Sequence, residues 1–314
     1  MFDFLLKQVL SLAISIVTIH VPKDEWQKKL DALPSQAERV AHKKLDGAWK
    51  AEIVVSPHTG LTHTYYKLPC TDSSSKKVLL LLHGLNTDGS VFFNLAPLAK
   101  KMTLIAYNFP EETDLYTGSL RDFELIIDDF CTMLNLDSIN LLGNSLGGII
   151  AVFYATHTKR VKVERLLLAS TYVPGATPGN IPRLRKMTDK FLPYPDYKLF
   201  YLLTIGNRLI QGRAIGNAAD REAPIESLVI KKIGWYRQTL SMLYWYDGRR
   251  DARNIGCPVL VLHGGADRLV PRAEVAATRE QIPNARVFSL EKAGHTLIFA
   301  QSKECAAEIA DFIN

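Results

Sequence analysis

Five short apolar runs, set apart by segments of helical spacing, constrain this chain more than any other feature. They are Lys77–Leu82 (KVLLLL), Met102–Tyr107 (MTLIAY), Ser138–Gly143 (SINLLG), Val163–Ala169 (VERLLLA) and Pro258–Leu262 (PVLVL). Runs of this kind are buried on both faces, as parallel strands are. Between them, Ser90–Lys101 spaces Phe93, Leu95 and Leu98 as a helix does. Leu120–Leu136 puts Phe123, Ile126, Ile127, Phe130 and Leu134 on one helical face, and Gly147–Thr156 is a further helix. Ala51–Ser56 and Thr62–Leu68, separated by Pro57-His58-Thr59-Gly60, read as an antiparallel opening pair. After the fifth run come a helix around Ala273–Gln281, a strand at Ala285–Leu290 and a closing helix at Ser302–Ile313. Right-handed crossovers place a helix between successive parallel strands. The expected fold is therefore α/β, with a mostly parallel central sheet and helices on both faces.

The alternation stops at residues 174–250, which hold helical stretches and no convincing strand. This segment reads as a helical cap inserted into a core of residues 49–173 and 251–314. It would lie over the carboxyl ends of the strands, where open α/β sheets bind ligands. It holds thirteen Lys/Arg against six Asp/Glu, more than the whole chain's net charge of +6. It also carries ten of the 29 aromatic residues. No zinc finger, basic zipper or other nucleic-acid motif accompanies that charge, so nucleic acid is not the expected partner. Four scattered cysteines without a C-x-x-C pair argue against a disulfide framework or a zinc cluster and favour a reducing compartment.

Residues 1–48 form an apolar N-terminal segment and a charged linker. Gln8 to Pro22 is a run of fifteen uncharged residues, short of the roughly twenty apolar residues of a membrane span. Asp3 precedes Lys7 and no A-x-A follows, unlike a cleaved signal. The expectation is an apolar helix that lies in a membrane interface or packs on the body. The chain would then be cytoplasmic, or peripheral at a membrane surface through residues 1–22. The stretch from Lys23 to Trp49 reads as a linker helix interrupted at Pro34.

The sharpest chemical signal is Gly143-Asn144-Ser145-Leu146-Gly147-Gly148, a G-x-S-x-G between a strand and a helix. A serine on so tight a turn adopts strained backbone angles and projects its hydroxyl above the sheet edge. Gly143 and Gly147 are small because strand and helix backbones meet there. Without that context the serine would be incidental in a glycine-rich turn. A serine hydroxyl needs a base. His295, after Ala293-Gly294 and before the closing helix, is the best placed of the eight histidines. His83 belongs by position to the oxyanion region, and His263 lies ahead of the acid. Asp267, in HGGAD at 263–267, is the candidate acid, with a turn or helix-cap aspartate as the plainer reading. The order Ser145, Asp267, His295 is that of the nucleophile-elbow hydrolases. An oxyanion needs preorganised N–H donors. The backbone N–H groups of Leu146 and of Leu85, in His83-Gly84-Leu85-Asn86, are the candidates.

From about residue 50 onward the chain resembles the α/β-hydrolase superfamily, through HG at 83–84, GNSLGG at 143–148, GGAD at 264–267 and GH at 294–295. The resemblance implies a Ser–Asp–His hydrolase with a helical cap, no cofactor and no metal. Serine at 145 sets the chain apart from the epoxide hydrolases and haloalkane dehalogenases, which carry aspartate there. GNSxGG is similar to the carbon–carbon bond hydrolases, and the layout is loosely similar to maspardin-type proteins. Many members carry Asp-x-Pro-Gly-x-Gly after the second parallel strand, where this chain has Asn108-Phe109-Pro110-Glu111-Glu112.

The expected reaction is cleavage of a carboxylic ester through an acyl-enzyme. A carbon–carbon bond hydrolase, a thioesterase and a non-catalytic binding protein are the alternatives. Phe191, Tyr194, Tyr197, Phe200 and Tyr201, and then Trp235, Tyr236, Tyr244, Trp245 and Tyr246, make two aromatic stretches in the cap. Together with the apolar N-terminus they favour a small, apolar, lipid-like or medium-chain ester over a sugar or peptide. The oligomeric state is left open.

Overall fold

The computed structural model describes residues 22–45, 47–111, 113–178, 194–213 and 230–314, with side chains of 205–213 left aside. The apolar segment 1–21, Phe191, Glu112 and the stretches 179–193 and 214–229 of the expected cap lie outside the described residues.

One eight-stranded sheet organises the chain. Its strands are β1 (Lys50–Val55), β2 (Thr62–Leu68), β3 (Val78–Leu82), β4 (Thr103–Asn108), β5 (Ser138–Asn144), β6 (Lys162–Ala169), β7 (Val259–Gly264) and β8 (Arg286–Leu290). The spatial order is β1-β2-β4-β3-β5-β6-β7-β8. From β4 to β8 every pairing is parallel. β1 pairs antiparallel with β2, as expected, and β2 pairs antiparallel with β4, so the opening pair extends the main sheet.

Successive residues of a strand point to opposite faces. Leu79 to Leu82 are all fully buried, and they serve two different cores. Leu80 and Leu82 pack with α3 (Leu120–Met133), α4 (Leu146–His157) and α6 (Ile233–Trp245), through Phe123, Ile127, Ile150 and Trp235. Leu79 and Leu81 pack with a 3-10 helix (Gly89–Lys100) and with α10 (Ser302–Ile313), through Phe92, Leu95, Ile309 and Ile313. The expected α/β fold with helices on both faces is therefore present.

The segment expected as an ordinary helix at 90–101 is a 3-10 helix, and the sequence holds the reason. Proline at 97 has no N–H to donate, and its ring opposes a regular helical turn. The Phe93 carbonyl, four residues earlier, accepts instead from Trp49 Nε1 at 3.3 Å.

The expected linker is two short helices docked on the body. α1 (Lys23–Asp31) sets Trp26 edge-on to Tyr201, with ring centroids 4.6 Å apart, on α5 (Asp196–Arg213). α2 (Gln36–Ala41) starts at Ser35 with a reciprocal capping box to Glu38. Its Val40 is buried in the second core, and its Arg39 pairs with Glu111. Among the described residues no helix is long and apolar enough to cross a membrane.

Between β6 and β7 the described elements are α5, α6 and the short α7 (Arg249–Arg253), with no strand among them. The Gly248 N–H donates to the Pro174 carbonyl at 2.8 Å, joining the two ends of this segment. A buried polar network pins β2 to α3. His63 bonds the Tyr107 hydroxyl at 2.8 Å and Asp129 at 2.9 Å, and Ser56 and Thr59 donate to the same carboxylate.

Candidate active site

Ser145 stands between β5 and α4 with φ 53° and ψ −116°, a conformation unfavourable for a residue with a Cβ. The turn is this tight because backbones nearly touch around it. A Cβ on Gly143 would lie 2.2 Å from the Gly147 carbonyl oxygen, and one on Gly147 would lie 2.2 Å from that of Leu82. No larger residue fits at either position without moving β3, β5 or α4. The end of β6 secures the serine backbone. The Ser145 N–H donates to the Ala169 carbonyl at 2.9 Å, and Thr171 Oγ1 donates to the Ser145 carbonyl at 2.7 Å. Thr171 was not visible as a site residue in the sequence, because its role depends on β5 and β6 being neighbours.

Asp267 follows β7 and His295 follows β8, and these adjacent parallel strands bring the two loops together. The Ala266 N–H donates to the Ala293 carbonyl at 2.9 Å, linking the loops directly. One Asp267 oxygen, Oδ1, accepts the N–H groups of Leu269 and Val270 at 2.8 and 2.9 Å. The other, Oδ2, faces His295 Nδ1 at 2.8 Å. A carboxylate only accepts, so Nδ1 carries the ring proton and Nε2 presents a lone pair. That lone pair faces Ser145 Oγ at 3.1 Å. The Asp267 side chain is fully buried, while His295 keeps 18 % of its side-chain exposure. The structure thus joins the three candidates in one line of hydrogen bonds. A hydroxyl facing an imidazole so oriented is arranged for proton transfer.

His263, the alternative histidine after β7, is buried and turned to the Val270 carbonyl at 3.2 Å. It does not join the line.

The loop after β3 runs beside the serine, since a Cβ on Gly84 would lie 3.4 Å from Ser145 Cβ. His83 Nδ1 donates to the Gly84 carbonyl at 2.7 Å, and the Gly84 N–H donates to Thr87 Oγ1 at 3.0 Å. The Leu85 carbonyl accepts from Trp235 Nε1 at 3.2 Å. Leu146 opens α4, so its N–H has no acceptor within that helix and lies at the positive end of the helix dipole. Burial, with the Lys231 ammonium nearby, holds the His83 imidazole well below its ordinary pKa, so it is neutral.

The loop that departs from the family pattern serves as a dock. Phe109 stacks on Trp235 with ring centroids 5.8 Å apart, and its carbonyl accepts from Gln36 of α2. Glu111 pairs with Arg39 and accepts the Lys232 N–H at 3.2 Å. Among the described residues no group of three or more His, Cys, Asp or Glu could hold a metal ion, and the four cysteines are free thiols. A surface groove of ≈ 470 Å³ lined by Gln36, Leu61, Glu111 and Lys232 includes none of the three bonded residues.

Known proteins resemble the chain in sequence, and solved structures resemble it in fold. The chain is 25 % identical to a pimeloyl-[acyl-carrier protein] methyl ester esterase of Neisseria meningitidis serogroup C, over 76 % of this chain and 93 % of that protein. It is 20 % identical to the monoacylglycerol lipase ABHD6 of Rattus norvegicus, over 76 % of this chain and 75 % of that one. A solved structure of a bacterial membrane phospholipase A superposes with a TM-score of 0.59 at 19 % identity, covering 100 % of this chain and 98 % of the other. The sequence pattern of the alpha/beta hydrolase family matches residues 79–309, and the chain, with its parallel sheet and the sharp turn at Ser145, belongs to that family.

Proposed function

We propose that the chain is a serine hydrolase that cleaves a carboxylic ester with an apolar acyl group by a two-step acyl transfer. The observation that carries this reading is the unbroken line from Ser145 Oγ through both His295 nitrogens to Asp267. His295 Nε2 takes the hydroxyl proton as Ser145 Oγ bonds to the ester carbon. The oxyanion so formed accepts hydrogen bonds from the N–H groups of Leu85 and Leu146. His295 returns the proton to the leaving alcohol as the carbon–oxygen bond breaks. Water then bonds to the acyl carbon as its proton passes to the same nitrogen, and the acid leaves as the bond to Ser145 Oγ breaks and that oxygen takes the proton back. Asp267 keeps the imidazole in the productive tautomer and stabilises the imidazolium.

The apolar substrate is supported by aromatic side chains from residues 174–250, which act as a cap above the strand ends. Ester hydrolysis in general is supported by the relatives, an esterase and a lipase by name. Residues 1–22 supply an apolar segment through which the protein meets a membrane surface from the cytoplasm. Fractionation of the full chain against one starting at Pro22 tests that attachment. The shorter chain starts at Pro22 so as to keep α1 and α2, which bury Leu30 and Val40 in the body.

A fluorophosphonate probe tests the reaction. The full chain should label on Ser145 and Ser145→Ala should not. A p-nitrophenyl ester series should favour medium acyl chains over acetate. A folded chain that does not label at Ser145 sinks serine chemistry, and a flat series sinks the apolar substrate.

A further inference from the structure

A lysine inside a protein loses the hydration of its charge, so it persists only where something holds it. Lys231, two residues before α6, is 1 % exposed. Its Nζ lies 3.3 Å from His83 Nε2 and 4.3 Å from the centre of the Trp235 ring. Its backbone N–H donates to the Tyr236 hydroxyl at 3.2 Å.

Both side-chain contacts lead to one peptide. His83 Nε2 also accepts the Phe109 N–H at 3.3 Å, so the imidazole proton sits on Nδ1 and is donated to the Gly84 carbonyl. In a trans peptide the carbonyl and the following N–H point in opposite directions. Holding the Gly84 carbonyl therefore aims the Leu85 N–H. Trp235, under the ammonium, holds the next carbonyl, that of Leu85. The Leu85 N–H is bracketed by two groups that Lys231 touches.

The geometry points to Lys231 as a positioning residue: from the segment between β6 and β7 it holds the Gly84–Leu85 peptide, through His83 and Trp235, with the Leu85 N–H aimed at the oxyanion. This rests on the acyl-transfer reading above. Lys231 does not touch the substrate. With the tautomer already set by the Phe109 N–H, the ammonium at Nε2 strengthens the Nδ1–H bond by polarisation along the chain. Docking of α6 and formation of the oxyanion site are thereby one event.

The titratable and charged groups around the ammonium are His83 after β3, Asp88 before the 3-10 helix, Glu111 after β4 and Arg39 on α2, while the Tyr236 hydroxyl on α6 holds the Lys231 backbone N–H. Desolvation lowers Lys231 to about 8, while Glu111 and Asp88 pull it up and Arg39 pulls it further down. The ammonium is present below that pH and lost above it, so kcat should fall on the alkaline side.

The test uses the full chain, the isosteric apolar variant Lys231→Met, and Trp235→Phe, which keeps a ring face but loses the Nε1 donor. Lys231→Met should lower kcat roughly ten- to a hundredfold and leave KM within about twofold. It should also remove the alkaline limb near pH 8. Trp235→Phe should lower kcat and keep that limb. A folded Lys231→Met, checked by near-UV circular dichroism, with wild-type kcat and pH profile overturns the proposal. If that variant does not fold, the wild-type profile decides, and a kcat with no alkaline limb overturns it. Probe labelling separates the two layers. A wild-type chain that fails to label at Ser145 ends the acyl-transfer reading, whereas normal labelling with unaffected variants ends only the role of Lys231.

Discussion

The backbone of Ser145 carries strain that a glycine would release. At φ 53° and ψ −116° an L-residue crowds its Cβ against its own backbone, and glycine does not. Such a conformation costs roughly 1–3 kcal/mol. Ser145→Ala removes the hydroxyl but keeps the Cβ and the strain. Ser145→Gly removes both, and each variant loses the same bond to His295. Ser145 makes no side-chain cap to α4, so no other polar contact separates the two variants. Glycine's greater freedom in the unfolded chain takes back about 0.5–1 kcal/mol. The net expectation is that Ser145→Gly is more stable than Ser145→Ala by about 1 kcal/mol. Unfolding entropy near 2.1 cal/mol/K per residue gives about 0.66 kcal/mol/K for 314 residues, so the melting temperatures should differ by about 1.5 °C. Urea unfolding read by tryptophan fluorescence measures the difference directly. A Gly variant no more stable than the Ala variant would refute the strain argument, whatever the protein hydrolyses.

Gly147→Ala should destabilise by roughly 3 kcal/mol or more, because its Cβ meets the Leu82 and His83 carbonyls at the end of β3, a strand held between β4 and β5; a lower urea midpoint for purified protein checks it. Asp267→Asn should lower kcat by about 10⁴-fold while the fold persists, since the amide donates where the carboxylate accepts and favours the wrong imidazole tautomer; steady-state kinetics checks it. The pH dependence of stability follows from His63 and His83, both held below the ordinary imidazole value by burial. Groups depressed on folding contribute stability that is full above the unfolded pKa near 6.5 and is lost as pH falls below it. Stability should therefore drop from pH 7 toward pH 5, and His63→Gln should flatten that slope by up to about 1.4 kcal/mol per pH unit; urea midpoints across the range measure it.

Strand and helix identities were legible in the residues because burial imposes a local period. The run LLLL at 79–82 could only be a strand buried on two faces, and it is. The three residues now joined by hydrogen bonds were legible for a related reason, since each lies in the segment after a core strand with glycine beside it: Gly143 and Gly147 around Ser145, Gly264 and Gly265 before Asp267, and Gly294 before His295. Lys231 and Trp235 were not. A lysine followed by an apolar helix reads as a solvated flank or a cap residue. Only the docking of α6 beside the loop after β3 turns its ammonium inward.

The sequence alone therefore determined the elements, the chain order of the candidate serine, acid and base, and the break in alternation after β6. Tertiary structure decided that β2 joins the main sheet through β4, that α1 and α2 lie on the body, and that Lys231 and Trp235 meet His83 and the Leu85 carbonyl. The physical reason is range. A residue's own neighbours set its periodicity and its turn geometry. Which strand edge, ring or carbonyl it meets across a separation such as the 148 residues between His83 and Lys231 depends on the packing of the whole, and that is where the line from Lys231 to the Leu85 N–H arises.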